Sequence, residues 1–264
     1  MLGLGFSLTQ AVLRNPGWTP ARLFGGGAVG FALDPGVMAS LAQDTAGTQP
    51  VMAVGQPVGL VRDQSGGGRH ASQSVSAARP TYRLDAGGRP CLEFDGVDDW
   101  LATASMALAS GGRTIITALR KRSDAVAGAV VETQPMWTSA GGGVAQFAPS
   151  ASGPATYGSR ILTSAVQSLV NTPASFAAPH TAVMSSVMVP GSHIVRINGQ
   201  QVVGEAPAGI IPALTAAVGI GSRGGSSFFA AVNLYGAIVI DRGLTGAELA
   251  QAEAWAAAKC GVLL

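Results

Sequence analysis

The sequence has few charged side chains and no basic cluster. Of its 264 residues, 16 are Lys or Arg and 14 are Asp or Glu, which makes 11% charged, less than half the roughly 25% typical of soluble domains. Basic residues that are this sparse do not form a phosphate-binding surface, so we expect no nucleic-acid partner. A surface with so little charge is typical of a subunit that lies within an assembly, which predicts a homo-oligomer.

Cysteine and histidine are also scarce. Cys91 and Cys260 are the 2 cysteines, and we expect buried free thiols, because a disulfide framework needs more cysteines at closer spacing. The 3 histidines are isolated and do not complete a zinc site with them. No cofactor is predicted, apart from the calcium considered below.

The chain also lacks recognisable targeting segments. Residues 1–14 are apolar but have no basic start, as a signal peptide would. The uncharged stretches 102–112 and 140–158 are interrupted by Gly, Pro or Ser, so neither is expected to span a membrane. These features predict a protein that is made in the cytoplasm and stays there, or is built into something assembled there.

What the sequence does contain is glycine, proline and short apolar segments. With 37 Gly and 15 Pro, long helical bundles are excluded. From residue 81 onward, turn residues separate apolar segments, with a predicted hairpin at 81–95 and another that turns at Asn198-Gly199. The predicted fold is all-β, an antiparallel sandwich of jelly-roll type.

One helix is predicted at the C-terminal end, over residues 245–260. Thr245 and Glu248 have the spacing of a capping box, in which each side chain bonds to the other residue's backbone amide. Gly261 suits the C-cap.

The chain is predicted to have three parts: an irregular N-terminal arm (1–35), a lead-in with a short helix and turns (36–80), and the sandwich (81–264). The arm is too broken by Gly and Pro to form its own core, yet it is rich in apolar side chains. Such an arm usually packs on a partner, although folding back onto its own domain stays open. The predicted docking side chains are Leu4, Phe6, Leu8, Trp18 and Phe24.

Two segments resemble one known family. Residues 92–101, LEFDGVDDWL, resemble a strand–turn–strand of concanavalin A-like, laminin G-like jelly rolls. Residues 234–249, LYGAIVIDRGLTGAEL, together with the helix that follows, resemble the closing strand and terminal helix of that family. The resemblance spans roughly 90–264 and implies the same fold.

A further resemblance concerns the lead-in. Asp34-Pro35 and the segments 41–51 (LAQDTAGTQPV), 53–60 (AVGQPVGL) and 70–73 (HASQ) are similar to a segment that precedes laminin G-like domains in bacteriophage and prophage proteins. The chain departs from that pattern at Arg69-His70, where Asn-His is usual. The resemblance implies a virion structural protein of the fibre, spike or decoration type, made in the host cytoplasm.

Such a protein is expected to bind rather than to catalyse. The resemblance implies other virion proteins as partners, a trimer as the favoured oligomer, and adsorption to a host surface glycan. A free or secreted non-catalytic carbohydrate-binding module is the alternative, and a degenerate glycanase is a third. Glycoside hydrolysis needs two facing carboxylates, whereas the five glutamates here are dispersed, so no enzyme is predicted.

Two candidate sites stand out. Asp95, Asp98 and Asp99 offer three carboxylates on one turn and could bind Ca²⁺, although Asp side chains also cap the amides of such turns. Trp137 and Tyr157 lie in loop-like surroundings and could form a platform for a sugar ring, with packing against a neighbouring loop or subunit as the other interpretation.

Overall fold

Short strands separated by turns form most of the chain. The structure is a computed structural model that describes residues 17–136 and 141–264. The strands of the described residues are β1 (Gly30–Leu33), β2 (Leu41–Ala42), β3 (Leu60–Val61), β4 (Ala71–Ser72), β5 (Thr81–Leu84), β6 (Pro90–Asp95), β7 (Leu101–Thr103), β8 (Met106–Leu108), β9 (Arg113–Lys121), β10 (Ala129–Gln134), β11 (Val144–Phe147), β12 (Gly158–Leu162), β13 (Gln167–Asn171), β14 (His180–Val189), β15 (Ser192–Ile197), β16 (Gln200–Glu205), β17 (Leu214–Ile220) and β18 (Ala231–Ile240). One helix follows, α1 (Gly246–Cys260).

The strands pair into two antiparallel sheets. The covered sheet, so called because α1 packs on its outer face, has the order β16–β15–β14–β9–β18–β6–β5, and β1 also pairs with β18. The open sheet has the order β13–β12–β11–β10–β17–β7–β4–β3–β2, and β8 also pairs with β17. Non-sequential neighbours such as β9 and β18 show that the chain crosses between the sheets, as in a β-sandwich.

The main core lies between the two sheets. Side chains of a strand alternate between its faces, and in β15 this puts His193, Val195 and Ile197 inside. The core also holds apolar side chains from β6, β9, β10, β14 and β17. The all-β antiparallel sandwich predicted from the sequence is therefore confirmed.

Helix α1 buries the outer face of the covered sheet. A second apolar cluster joins helix residues such as Ala252 and Ala256 to Ile116 of β9 and Ile238 of β18. Gly236 lets the helix approach closely, because a Cβ there would lie 2.8 Å from the ring of Trp255. The helix was predicted at 245–260, and its αL C-cap at Gly261 is confirmed.

The predicted capping box is not formed. The Thr245 side chain makes no cap hydrogen bond. The Glu248 carboxylate instead accepts two hydrogen bonds from the Arg242 guanidinium, at 2.6 and 2.8 Å. A charged, bidentate partner outcompetes a backbone amide, so the spacing that indicated a box marks the helix start correctly but not its contacts.

The described half of the predicted arm belongs to the sandwich. β1 pairs with β18 along its length, and Leu23 is buried in the cluster under the helix. Trp18 and Phe24, predicted to dock on another protein, are partly buried against that same cluster of their own chain. Their apolar surface is thus used internally. The other predicted docking residues, Leu4, Phe6 and Leu8, lie outside the described residues.

The lead-in is not a separate unit either. A helix was expected near residues 36–43, but only a three-residue 3₁₀ turn, Met38–Ser40, is present before β2. β2, β3 and β4 extend the open sheet through β7. The boundaries predicted at residues 35 and 80 are therefore wrong as divisions of the fold, because backbone pairing crosses both.

Two further features bear on the sequence expectations. Cys91 and Cys260 are buried free thiols, as predicted. Within the described residues, no helix is both long enough and apolar enough to cross a membrane.

Candidate functional site

A row of side chains crosses the outer face of the open sheet. In the antiparallel register, Glu132 of β10 lies opposite Ala145, Ala145 opposite Arg160, and Arg160 opposite Leu169. Directly opposed residues share a face. Because Gln146, the neighbour of Ala145, points inward and donates to the carbonyl oxygen of Ile115 on the covered sheet, this row faces outward.

Phe147 forms the floor of a depression on this face. The ring is buried, and the guanidinium carbons of Arg160 and Arg223 lie 5.5 and 5.9 Å from its centroid. Phe147 lies opposite Gly158, which has no side chain to compete for the space. Two cationic groups are thus held against one aromatic ring, a favourable cation–π arrangement.

The loop between β17 and β18 supplies the wall of the depression. It brings Arg223 against the Phe228 ring, with 4.1 Å between the guanidinium carbon and the ring centroid. Phe228 has a positive φ of 52°, which is unfavourable for a bulky residue and is found most often where a site requires a particular side-chain position. The loop thereby places an aromatic side chain at the edge of the depression.

A buried ion pair joins this loop to the sheet. The Nε and Nη2 atoms of Arg223 donate to the two carboxylate oxygens of Glu132 at 2.8 and 3.1 Å. The Glu132 side chain is 1% exposed and that of Arg223 is 24% exposed. Burial lowers the pKa of Arg160, and the nearby positive charge of Arg223 lowers it further. The depression therefore contains two guanidinium groups and one carboxylate.

The depression is small and open to solvent. Its volume is about 220 Å³, counting the part open to solvent. The side chains that line it are Phe147, Ser150, Ala151, Arg160, Leu169, Arg223 and Phe228. The enclosed part is about 20 Å³, room for about one water molecule, so a larger group would lie over the depression. Its lining combines N–H donors with aromatic and aliphatic surface. Because both oxygens of Glu132 are held by Arg223, the arrangement suits binding better than proton transfer.

Tyr157, predicted to contact a ligand, is instead completely buried. Its hydroxyl group forms a 2.8 Å hydrogen bond with Nδ1 of His180. Its ring lies 5.0 Å from the buried Lys121 ammonium group and 5.7 Å from the Phe176 ring. Burial raises its pKa. The prediction of a sugar platform at Tyr157 is thus wrong. Trp137, the other predicted platform residue, lies outside the described residues.

The sequence analysis missed the residues of the depression. Its four charged or aromatic members come from β11, β12 and a distant loop, so no motif unites them. One usable signal was present, since Glu132 follows the buried pair Val130 and Val131 in a strand. A carboxylate in such surroundings is almost never buried without a partner. That signal predicts a nearby cation, but it does not predict which one.

The Asp95, Asp98 and Asp99 carboxylates do lie together, within 4.8 Å of one another. Asp95 Oδ1 accepts a hydrogen bond from the Val97 amide at 2.7 Å, and Asp99 Oδ2 accepts one from the Asp95 amide at 3.0 Å. Gly96 has the positive φ that the turn requires, 85°. Burial raises the pKa of Asp99 to about 7. These bonds account for the turn, and calcium binding stays a prediction.

A buried histidine network links the two sheets beneath the open sheet's edge. His193 of β15 contacts Ser168 Oγ through Nδ1 at 2.7 Å and Ser159 Oγ through Nε2 at 2.8 Å. Ser168 donates its hydroxyl proton to Glu205, so its oxygen accepts from Nδ1–H of a neutral imidazole. Burial lowers the pKa of His193 to about 4.

Comparison with known proteins identifies the fold. No protein-family model matches the chain, and no curated protein matches it either. Among solved structures, the binding domain of botulinum neurotoxin serotype D is similar with a TM-score of 0.56 and 7% identity, over 86% of this chain and 51% of that one. The serotype D/C VPI 5993 binding domain gives a TM-score of 0.55 and 7% identity, over 90% of this chain and 53% of that one.

A third similar structure belongs to botulinum neurotoxin type C, whose cell entry depends on interaction with two ganglioside molecules. Its TM-score is 0.53 at 9% identity, over 87% of this chain and 51% of that one. The chain therefore spans about half the length of these domains. Identities this low show the fold alone, and the chain has the jelly-roll sandwich predicted from its sequence.

Proposed function

We propose that the protein is a non-catalytic glycan-binding jelly roll, displayed on a phage or phage-like particle. The observation that carries the glycan-binding part is the depression on the open sheet, where Arg160, Arg223, Phe147 and Phe228 converge. Sugar rings present hydroxyl groups at their edges and C–H groups on their faces. Arginine N–H groups suit the hydroxyls, and aromatic or aliphatic surface suits the ring faces.

The fold supports this proposal by precedent. The type C neurotoxin with a similar structure depends on gangliosides, which are glycolipids, for cell entry. That dependence belongs to the toxin, and this chain matches only about half the length of its domain. It supports glycan recognition as one use of a molecule that contains this fold, and the depression gives this chain a place for it.

The location on a phage or phage-like particle is proposed from the sequence. Residues 34–80 resemble the segment that precedes laminin G-like domains in phage and prophage proteins, and the chain has only 11% charged residues. The proposed partners are other virion proteins and further copies of this chain, with a trimer favoured, and the proposed location is the virion. The segment itself forms β2, β3 and β4, which extend the open sheet that carries the depression.

Glycan binding is tested by applying the purified chain to an array of immobilised glycans, alongside the Phe228→Ala variant. We expect retention on a defined subset of glycans and at least a tenfold weaker signal for the variant. Val126→Ala, which changes an exposed apolar side chain in another loop, is the matched control and should bind as the unchanged protein does. Absence of retention on every glycan would overturn the proposed function.

The location on a particle is tested separately, with an antibody against the chain. Particles purified from a producing strain should contain the protein at a constant ratio to the major structural protein, and immunogold labelling should place it at a fixed position. Recovery only from the soluble fraction would contradict the virion location and favour a free glycan-binding module.

A further inference from the structure

We propose that β13, the end strand of the open sheet, pairs with β13 of a second copy of this chain. The contact joins the open sheets of two copies into one continuous sheet, and it depends on no ligand. Four strands end the two sheets, β2, β5, β13 and β16. The outer backbone groups of such a strand can pair with another chain unless they are blocked.

The chain blocks two of these edges with its own backbone. Outside β5, the Gly55 amide donates to the Tyr82 carbonyl oxygen at 2.8 Å, and the Tyr82 amide donates to that of Gln56 at 2.9 Å. Outside β2, Ala42 forms an antiparallel bridge with Pro50. These two edges are therefore occupied.

The third edge, that of β16, is irregular. Its pairing with β15 shifts by one residue at Val202, and a bulge of this kind bends an edge strand away from a straight partner. The strand also ends in an exposed carboxylate, that of Glu205. A flat, uninterrupted partner strand does not fit along this edge.

The fourth edge, that of β13, has none of these protections. Its five residues, Gln-Ser-Leu-Val-Asn at 167–171, pair with β12 without a register shift and include no charge and no proline. Among residues 17–136 and 141–264, no other backbone segment is hydrogen-bonded along the far side of β13. Alternate residues of an antiparallel strand direct their N–H and C=O groups to that side. β13 therefore offers an open row of backbone donors and acceptors.

The side chains of β13 suit a second copy of the same strand. Antiparallel pairing of all five residues puts Leu169 opposite Leu169 of the second copy, and Gln167 opposite Asn171 of the second copy. An apolar centre then has amides on both sides, and no like charges face one another. A strand that pairs with itself in this way relates the two copies by a twofold axis. The contact is thus distinct from the threefold contact of the proposed trimer.

An exposed apolar side chain lies beside this edge. Val166, directly before β13, is 42% exposed. In the same antiparallel register it lies next to Thr172 of the second copy, so pairing removes part of its apolar surface from water. The small number of charged residues, 11% of the chain, is consistent with a surface that is partly covered in an assembly.

The contact also places two depressions on one outer face. Arg160 of β12 lies directly opposite Leu169, so Arg160 of the second copy lies three strands away from it. Three strand spacings of about 4.8 Å put the two Arg160 Cα atoms about 14 Å apart. A glycan chain that lies over one depression then reaches the other. This consequence rests on the proposed function, whereas the contact itself does not.

The test is a cysteine placed on the twofold axis. Directly opposed residues of an antiparallel pair have Cα atoms about 4.5–5.5 Å apart, which is within disulfide range. Leu169→Cys in the full chain should therefore form a disulfide-linked dimer under mild oxidation. Its linked fraction on a non-reducing gel should be at least fivefold above that of Val126→Cys, an exposed control in another loop. Cys91 and Cys260 are buried, and the unchanged protein measures any background from them.

The mass in solution is the second measurement. Light scattering should give an even multiple of the 26.4 kDa of one chain. Leu169→Lys should halve that mass, because two lysines would face each other across the axis. Leu169→Met, the matched control, should leave it unchanged.

Two outcomes would overturn the contact. One is a monomer at every concentration measured, and the other is an oligomer in which Leu169→Cys links no better than Val126→Cys, since its contact lies elsewhere. If Leu169→Cys does not fold, the double variant Gln167→Cys/Asn171→Cys tests the same register: the double variant should link, and neither single variant should. Glycan binding enters none of these measurements, so their result leaves the proposed function to its own test.

Discussion

The two outer faces of the sandwich are built differently. The face of the covered sheet is apolar, and α1 and the segment around Leu23 bury it. The corresponding face of the open sheet has a much smaller apolar cluster, made of Ala129, Met136, Ala145, Phe147 and Leu162 with Phe228 beside it. The inner faces of the two sheets bury each other against water. An outer face therefore needs a covering helix only where that face is apolar. On the open sheet, Phe228 of the loop before β18 packs against the smaller cluster in place of a helix.

Each of the two faces also has one arginine–glutamate ion pair, and the two ion pairs have similar geometry. On the covered side, Arg196 of β15 bonds to Glu253 of α1 at 2.8 and 3.1 Å, the same distances as for Arg223 and Glu132. Both carboxylates are nearly completely buried, and both arginine side chains are about a quarter exposed. One pair attaches the helix, and the other positions the guanidinium group of the depression. Equal geometry thus serves packing on one face and, in our proposal, recognition on the other.

The largest expected effect is on the covered face. Ile238→Ala should lower the free energy of unfolding by about 4 kcal/mol, because the side chain is completely buried between β18 and the helix. Leu169→Ala, on the open face and only partly buried, should cost less than about 1 kcal/mol. Urea unfolding measures both. Equal losses would mean that the open face is as important for stability as the covered one.

The next largest effect is a loss of folding stability at low pH, which we expect to be greatest in the open sheet. The folded-state pKa of His193 is about 4, below the unfolded value near 6.5. The unfolded chain therefore binds the proton more readily, and stability falls as pH drops from about 6.5 to about 4, by up to ~3 kcal/mol. The His193→Gln variant should lose less stability over this range, since groups such as Asp99 are common to both proteins.

Hydrogen exchange shows where that loss occurs. His193 holds Ser159 of β12 and Ser168 of β13, so amides of these two strands should exchange faster at pH 4.5 than at pH 7, relative to β9 and β18. Uniform acceleration across both sheets would contradict a local role for this network.

The matched ion pairs provide an intermediate effect. Arg196→Met and Arg223→Met should each destabilise the fold by about 2 kcal/mol, because each leaves a buried carboxylate without its partner. Breaking a fully buried pair costs about 3–5 kcal/mol. The expected loss is smaller here because each arginine is partly exposed. Only Arg223→Met should reduce glycan binding. A comparable loss of binding in Arg196→Met would show that the effect comes from general loosening and not from the depression.

The smallest expected effect is at the start of the helix. Thr245→Ala should change the thermal midpoint by less than the equivalent of about 0.5 kcal/mol, because its side chain makes no cap hydrogen bond. Glu248→Ala should cost somewhat more, since it removes the contact with Arg242. If Thr245→Ala proves the more harmful of the two, the capping box forms in solution.

Much of the fold was predictable, because it depends on patterns that are local in sequence. The turn at Asn198-Gly199 joins β15 to β16, and the hairpin of β5 and β6 lies within its predicted range. The N-terminal boundaries were not predictable. β1 pairs with β18, about two hundred residues away, and a short apolar segment such as 30–33 suits this partner as well as it suits another protein.

The candidate site was not predictable from the sequence either, because its residues come together only through long-range strand pairing. Nothing in the spacing of Glu132, Arg160, Arg223 and Phe228 relates them, and Tyr157 resembled a surface residue because its loop contains Gly and Pro. Only the register of β10, β11 and β12 and the path of the loop before β18 bring the charged residues together around Phe147.

The sequence by itself determined most of the strands after residue 81, the terminal helix and the sandwich class, because alternation, turn residues and glycine act over a few neighbouring positions. It did not indicate β1, β12 or β13. The tertiary structure decided which face is covered, which aromatic side chains are buried and which arginines meet a carboxylate. Those outcomes depend on pairing between distant strands, where a given charge or ring has several acceptable partners until the whole sandwich selects one.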